Sequence, residues 1–316
     1  MTQTTKEVFE KYEVRKTKKQ KSAFIDYVTS VAKEQGYACT TEQGPMGARN
    51  IVVGSPDTAK IVYTAHYDTC AVMPFPNFIT PKNFLIYLLY QLVIVLFVYV
   101  PVFAAVYLSY VVCAFAGASE GVALAVGEIV LFAGMFLMLW LIAAGPANKH
   151  TANDNTSGVT TLLDIMCALP EEKRNEVAFV FFDLEEMGLF GSKGFANNHK
   201  QTMKDKLLIN FDCVSDGDHL LFVLKKGAIP HAAAIERAFP SDETYTVEIA
   251  TKGVFYPSDQ ANFPCGVGVA ALNKTKRGNL LYMNRIHTKH DTVYHEKNIE
   301  FFVQGAVRLV CEMDEA

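Results

Sequence analysis

Three apolar stretches of this chain run straight into acids or a histidine. Residues 61–65 lead into His66-Tyr67-Asp68, residues 177–182 into Asp183-Leu184-Glu185-Glu186, and residues 207–211 into Asp212. Two further polar clusters stand apart in the sequence, Asn153-Asp154-Asn155-Thr156-Ser157-Gly158 and His287-Thr288-Lys289-His290-Asp291-Thr292. Imidazoles and carboxylates without a nucleophilic Ser or Cys signature point to metal-assisted hydrolysis. No GxSxG, HExxH, P-loop or GxGxxG motif offers a competing chemistry. Taken singly, each cluster has a bland reading: Glu-Glu after a strand is a solvated turn, and His-x-Asp is a surface pair. Asp183, Asp216 and Asp218 fit turn chemistry as well as support of a site. His150, His199, His219, His231 and His295 match no motif and read as structural or surface residues.

The elements that must position these groups read as alternating strands and helices. Short runs rich in β-branched and aromatic residues occupy 51–53, 61–63, 177–182, 207–211, 220–224 and 267–272. Several are too continuously apolar for half-exposed strands, so they predict interior strands covered on both faces. Helical spacing marks Phe24, Ile25, Val28 and Val31, with Gly36 as the stop, and further helices are expected over 158–169, 191–197, 231–238 and 298–313. The predicted class is α/β, with a central mixed, largely parallel sheet flanked by helices. Ligands of such sheets gather at the carboxyl ends of strands, where the acids above would converge.

One segment breaks this pattern. Residues 83–148 hold two charges, Glu120 and Glu128, whereas 60 of the 62 charges fall in the other 250 residues. Residues 84–118 and 129–148 are uncharged, and each run supplies the ~20 apolar residues that a membrane-spanning helix needs. A two-helix transmembrane hairpin is predicted over 75–148, inserted between residues 1–74 and 149–316 of one catalytic domain, with lipid contact through 84–147. Pro101 is expected to kink the first helix, and Glu128 to lie at or just inside the start of the second. The turn between the runs has no Lys or Arg, while Lys60, Lys82, Lys149 and the RKTKKQK stretch at 15–21 lie on the flanks. That asymmetry predicts a two-pass membrane protein with a cytoplasmic catalytic domain. The basic stretch reads as a solvated helix start or a contact with anionic lipid. The first sixteen residues have no apolar core, so they are not read as a secretory signal. Seven cysteines without CxxC spacing fit reduced, mostly buried thiols. A net charge of −4 leaves no basic excess for nucleic acid.

The ordered set His66-x-Asp68, Asp154-x-x-Ser157-Gly158, Glu185-Glu186-x-Gly188-Leu189-x-Gly191-Ser192, Asp212 and His287-Thr288-x-x-Asp291-Thr292 resembles peptidase family M28. That family holds zinc aminopeptidases, glutamate carboxypeptidases and glutaminyl cyclases. The resemblance covers about residues 22–315 outside the insert, and Ser258-Asp259-x-x-Asn262-Phe263 resembles a further motif less firmly. It implies two divalent metal ions, zinc by preference, bridged by a carboxylate and a water. Asp154 would bridge, His66 and Asp212 would complete one site, and Glu186 and His287 the other. His290 competes with His287, but the spacing to Asp291-Thr292 favours His287. Asp68 would orient the His66 imidazole, and Glu185 would be the general base. Three carboxylates and a hydroxide balance two divalent cations, which would sit about 3.5–4 Å apart. The implied substrate is a peptide with a free amino terminus. Tyr256 is a candidate wall of its pocket.

The chain departs from the soluble members of the family in one place. The 85 residues of 69–153 separate the His-x-Asp segment from the Asp-x-x-Ser-Gly segment, where those relatives have a short loop. Both ends of the hairpin should therefore emerge beside metal-binding segments. The hairpin then either shapes specificity toward apolar or membrane-derived peptides, or only tethers the domain. Two other functions stay open on the same fold. One is a mono-zinc, glutaminyl-cyclase-like acyltransferase, and the other a non-catalytic receptor or scaffold, against which the full ligand set argues.

Overall fold

A computed structural model describes residues 1–278 and 280–312. In chain order the elements are α1 (Gln3–Lys11), α2 (Lys18–Glu34), β1 (Cys39–Gln43), β2 (Arg49–Val53), β3 (Ile61–His66), α3 (Phe84–Phe115), α4 (Glu120–Ala144), α5 (Gly158–Ala168), β4 (Val177–Phe182), α6 (Phe190–Asn198), β5 (Leu207–Phe211), β6 (His219–Leu224), α7 (Ala232–Ala238), β7 (Thr246–Ala250), β8 (Gly266–Lys274), β9 (Leu281–Tyr282) and α8 (Glu296–Glu312). The helix expected over 298–313 thus begins two residues earlier, and Met313 lies outside the described residues.

The sheet runs β1-β2-β4-β3-β5-β8-β6-β7, with β9 paired to β8. Its centre, β4-β3-β5-β8, is parallel. Antiparallel pairs join β1 to β2, β2 to β4 and β6 to β8. The sheet is therefore mixed around a parallel centre, as the strand–helix alternation predicts. The unbroken apolar runs follow from two-sided burial. Along β4, Val177, Phe179 and Phe181 enter the larger core with α2, α5 and α8, while Ala178, Val180 and Phe182 enter a second core with Phe195 and Phe263. A third apolar cluster contains Ile79, Leu221, Ala270, Leu272, Met283 and Ile286. Strands β1 and β7 and helix α1 carry few fully buried residues; α1 buries only Thr5 and Val8.

The basic stretch at 15–21 departs from expectation. Arg15 is fully buried, Lys21 is buried and paired with Asp183, and the Lys16 ammonium donates to the carbonyl of Ala143 (3.1 Å). Only Lys18 and Lys19 of its cations are exposed, so most of the stretch is internal structure and its weight in the topology argument shrinks.

Helices α3 and α4 form an antiparallel pair, each long and apolar enough to cross a membrane. In their most apolar windows only 11% and 6% of residues are buried, which separates them from core helices of a soluble domain. Small residues let them approach: a Cβ on Gly127 would sit 2.9 Å from the Tyr110 ring, and one on Gly134 3.2 Å from Val102. At 1.5 Å per residue α3 spans roughly 48 Å, well beyond the ~30 Å of a hydrocarbon core. With Tyr110 opposite Gly127 and Val102 opposite Gly134, the excess falls at the start of α3. Those opening turns pack on the rest of the chain through Phe84 and Tyr87 against Phe255 (5.6 and 5.3 Å) and Tyr90 against Phe78 (5.3 Å). Pro101 lies inside α3. Helix α4 begins at Glu120, so the exposed Glu128 stands two turns inside it rather than at its start.

Candidate metal centre

Strands β3, β4 and β5 end in register, with His66 beside Phe182 and Thr64 beside Asn210. That alignment delivers His66, the Glu185-Glu186 turn and Asp212 to one edge of the sheet. Asp154 arrives from the turn before α5, where its peptide bond to Asn155 is cis. The turn is held from several sides. Both Asp291 oxygens accept from the backbone N–H groups of Asn153 and Asp154 (2.9 and 3.0 Å). The Asn155 side chain donates to the Phe211 carbonyl, and the Ser157 hydroxyl donates to the Asn153 carbonyl. Gly158 is obligatory here, because a Cβ would lie 2.2 Å from the Phe211 oxygen.

The two oxygens of Asp154 face different partners. Oδ1 lies 3.2 Å from His66 Nε2, which is 3.5 Å from Asp212 Oδ1. Oδ2 lies 3.1 Å from His287 Nε2, which is 3.3 Å from Glu186 Oε2. Ligand atoms of His66, Asp154 and Asp212 fall within 4.8 Å of one another, as do those of His66, Glu185 and Glu186. His290 is exposed and joins none of these groups. Asp68 sits between the two halves: its carboxylate is 3.6 Å from His66 Nδ1 and accepts from the N–H groups of Glu185 (3.0 Å) and Glu186 (3.3 Å). His66 Nδ1 is closest to the backbone oxygen of Asp68 (3.1 Å), so Asp68 meets the imidazole through its main chain and the Glu-Glu turn through its side chain.

Electrostatics tie the cluster together. Burial raises Asp154, but His287 and His66 outweigh it and hold the carboxyl well below the usual carboxylate range. Burial lowers His287, yet Glu186 and Asp154 carry it up to about 9; His66 is raised in the same way by Glu185, Asp154, Asp212 and Asp68. Burial and neighbouring acids push Glu186 up to about 7 and Glu185 well above its ordinary value. Asp259 and Asp291 are driven up to about 7 and about 8, first by burial. The residues fit a pair of divalent cations. Glu186 Oε1 is buried without a hydrogen-bond partner, and nitrogen and oxygen donors flank both oxygens of one carboxylate.

A cavity of about 290 Å³ opens on these groups, walled by Asn77, Ile79, Leu189, Tyr256, Pro257 and Ile286. Among the described residues no Lys or Arg lines it. The Tyr256 hydroxyl donates to the Asp212 carbonyl (2.9 Å). Asn77 and Ile79 belong to the segment leading into α3 and gave no sequence signal, because nothing in their types marks a pocket. That segment is stitched to the His287 loop. Met73 N–H donates to the His287 carbonyl (2.7 Å), Asn77 N–H to Ile286 (3.2 Å), and Ile79 exchanges both bonds with Met283. The returning arm of the hairpin does the same, with Asn148 Nδ2 donating to the Thr288 carbonyl (2.9 Å).

Arg15 also escaped the sequence reading. Its Nε donates to the Tyr67 carbonyl (2.6 Å), Nη1 to those of Tyr12 and Glu13, and both Nη atoms contact Thr156 Oγ1. It thus clamps the segment carrying His66 and Asp68 to the turn carrying Asp154. Of the other acids, Asp183 pairs with Lys21 and Asp216 with Arg285. His199 and His219 pair with Glu42 and Glu248.

Known proteins share this fold. The profile of peptidase family M28 matches residues 140–301, just over half of the chain, and the chain belongs to that family. Among solved structures, the Legionella pneumophila LapA aminopeptidase aligns over 98% of this chain and 68% of its own, at 13% identity and a TM-score of 0.56. Porphyromonas gingivalis glutaminyl cyclase aligns over 98% of both chains at 14% identity and a TM-score of 0.57. A leucine aminopeptidase precursor from Bacteroides thetaiotaomicron covers 97% of this chain and 96% of its own, at 14% identity and a TM-score of 0.52. At these identities the likeness is one of fold. A search of curated proteins finds no match.

Proposed function

We propose that the chain is a membrane-anchored aminopeptidase that uses two divalent metal ions, zinc by preference, to release amino-terminal residues from peptides. The observation that carries this reading is the division of Asp154, whose two oxygens face two separate imidazole–carboxylate pairs. In this reading Asp154 bridges, His66 and Asp212 complete one site, and Glu186 and His287 the other. When bound, such a pair of cations lowers the pKa of a water and polarises the scissile carbonyl.

The chain's own residues do the rest. Glu185, which lines the cavity, takes the proton of the attacking water and hands it to the leaving nitrogen. Asp68 fixes the Glu185-Glu186 turn through two N–H bonds, so the base and its neighbouring ligand keep one geometry. Among its described lining residues the cavity has no Lys or Arg, so no fixed guanidinium or ammonium group stands ready to pair with a peptide's terminal carboxylate. That supports action at an amino terminus over action at a carboxyl terminus.

Residues 1–74 and 149–316 form the catalytic domain of this reading, and 75–148 the hairpin that anchors it from the cytoplasmic side. Asn77 and Ile79 place part of the hairpin's base in the cavity wall, which favours a role in specificity over a bare tether.

A peptide-library digest with product mapping, run with and without chelator and with amino-terminally acetylated controls, tests the proposal. Stepwise, chelator-sensitive loss of amino-terminal residues is expected. Cyclised amino-terminal glutamine with one bound metal would establish the glutaminyl-cyclase reading instead. No turnover by the metal-loaded chain would leave a scaffold.

A further inference from the structure

Cys70 belongs to none of the motifs that lead to the metal centre. Yet its sulfur, a Glu186 carboxylate oxygen and a His287 ring nitrogen all lie within 4.8 Å of one another. The thiol is 2% exposed, so water does not explain its place. Glu186 contributes a second observation: its Oε1 is buried and accepts no hydrogen bond, so this group holds a donor atom that nothing in the chain satisfies. The position of Cys70 is fixed by the base of the hairpin. Asn148 N–H donates to its carbonyl (3.1 Å), and Ala71 and Ala147 form a bridge beside it.

We propose that Cys70 is a thiolate ligand of the metal ion held by Glu186 and His287. The inference rests on the two-metal reading above. On metal binding the S–H bond breaks, the proton leaves to solvent, and a sulfur–metal bond forms with no change of oxidation state. The two sites are then unequal. Asp154, Glu186, His287 and Cys70 give one ion four protein donors, the number that closes a tetrahedral site. His66, Asp154 and Asp212 give the other ion three, which leaves a position for water or substrate. The sulfur also biases its site toward zinc or cobalt and away from manganese. The insertion thereby contributes to holding the metal as well as to anchoring, because the arm that returns from the membrane sets the sulfur in place.

Cobalt(II) reads this directly. The full chain, purified in detergent and stripped with chelator, is titrated with cobalt while absorption is recorded. A sulfur-to-cobalt charge-transfer band in the near ultraviolet is expected, alongside the weaker visible bands of bound cobalt. Cys70→Ser should abolish the near-ultraviolet band and keep the visible ones. Cys213→Ser, which alters the other thiol beside the cavity, should keep both. Changes to groups that merely support a ligand cost 10–100-fold in metal affinity, so Cys70→Ser should weaken one of two zinc equivalents by at least that factor. Visible bands without the charge-transfer band in the unaltered chain overturn the proposal whether or not any variant folds. So does a band that survives Cys70→Ser or vanishes with Cys213→Ser. A folded chain that takes up no cobalt refutes the two-metal reading itself, and this inference falls with it.

Discussion

Stripping metal from the centre is expected to leave a domain that grows less stable as pH rises. Burial and neighbouring acids push Glu186 from 4.5 up to about 7. The unfolded chain releases that proton above pH ~4.5 while the folded chain keeps it, so the folded state loses ground until pH passes about 7. Moving from 4.5 to about 7 corresponds to roughly 3 kcal/mol. Asp259 and Asp291, raised to about 7 and about 8, act with the same sign. His287 is raised from 6.5 to about 9, so its contribution is full below 6.5 and fades as pH climbs through 9. Asp154, held low, contributes above about 3.8 and loses its contribution only in acid. The neutral-to-alkaline window is therefore the weak one. About 2.5 kcal/mol of this is lost between pH 5 and pH 8, and at ~2–4 °C per kcal/mol Glu186 by itself lowers Tm by roughly 5–10 °C over that range. Calorimetry of the metal-free chain in detergent at pH 5, 6.5 and 8 measures this, with zinc-loaded protein alongside and Glu186→Gln as a variant that cannot ionise there. A metal-free chain as stable at pH 8 as at pH 5, or a Glu186→Gln chain with the same slope, refutes the reasoning.

Other expectations follow from particular contacts. Glu185→Gln should keep its metal and lose about 10²–10⁴ in kcat, measured on a soluble peptide amide; an unimpaired variant rejects the base. Arg15→Met leaves three carbonyls and a hydroxyl without their donor and should cost about 3 kcal/mol or more in denaturant unfolding. Arg15→Lys should recover little, since a point charge cannot serve Nε and Nη partners together. Replacing residues 99–136 by a Gly/Ser loop keeps the base of the hairpin and should preserve hydrolysis of soluble peptides. Replacing 75–146 removes the pairing of Asn77 and Ile79 with the His287 loop and should lower metal content as well. Equal metal content in both replacements would show that the base does not hold the loop.

The parts of the chain that read clearly share a local cause. The run at 177–182 is unbroken because alternate residues serve opposite cores, and that burial shows directly as composition. The hairpin reads for the same reason, since length and absence of charge are properties of the segment itself. The acids at strand ends stand out because apolar stretches stop there. Strands β1 and β7 and helix α1 do not stand out because they carry polar residues and are partly exposed, with only Thr5 and Val8 of α1 buried.

The residue types, their order along the chain and the greasy insert are determined by the sequence alone, because each depends on neighbours a few positions away. Tertiary structure decided the rest. Arg15 looks like surface charge until the fold surrounds its guanidinium with carbonyls 52 and 3 positions away. Asn77, Ile79 and Cys70 approach the centre only because both arms of the hairpin pair with the His287 loop, more than 130 residues from either. Such contacts depend on the placement of whole elements, and no local pattern of residue types encodes that placement.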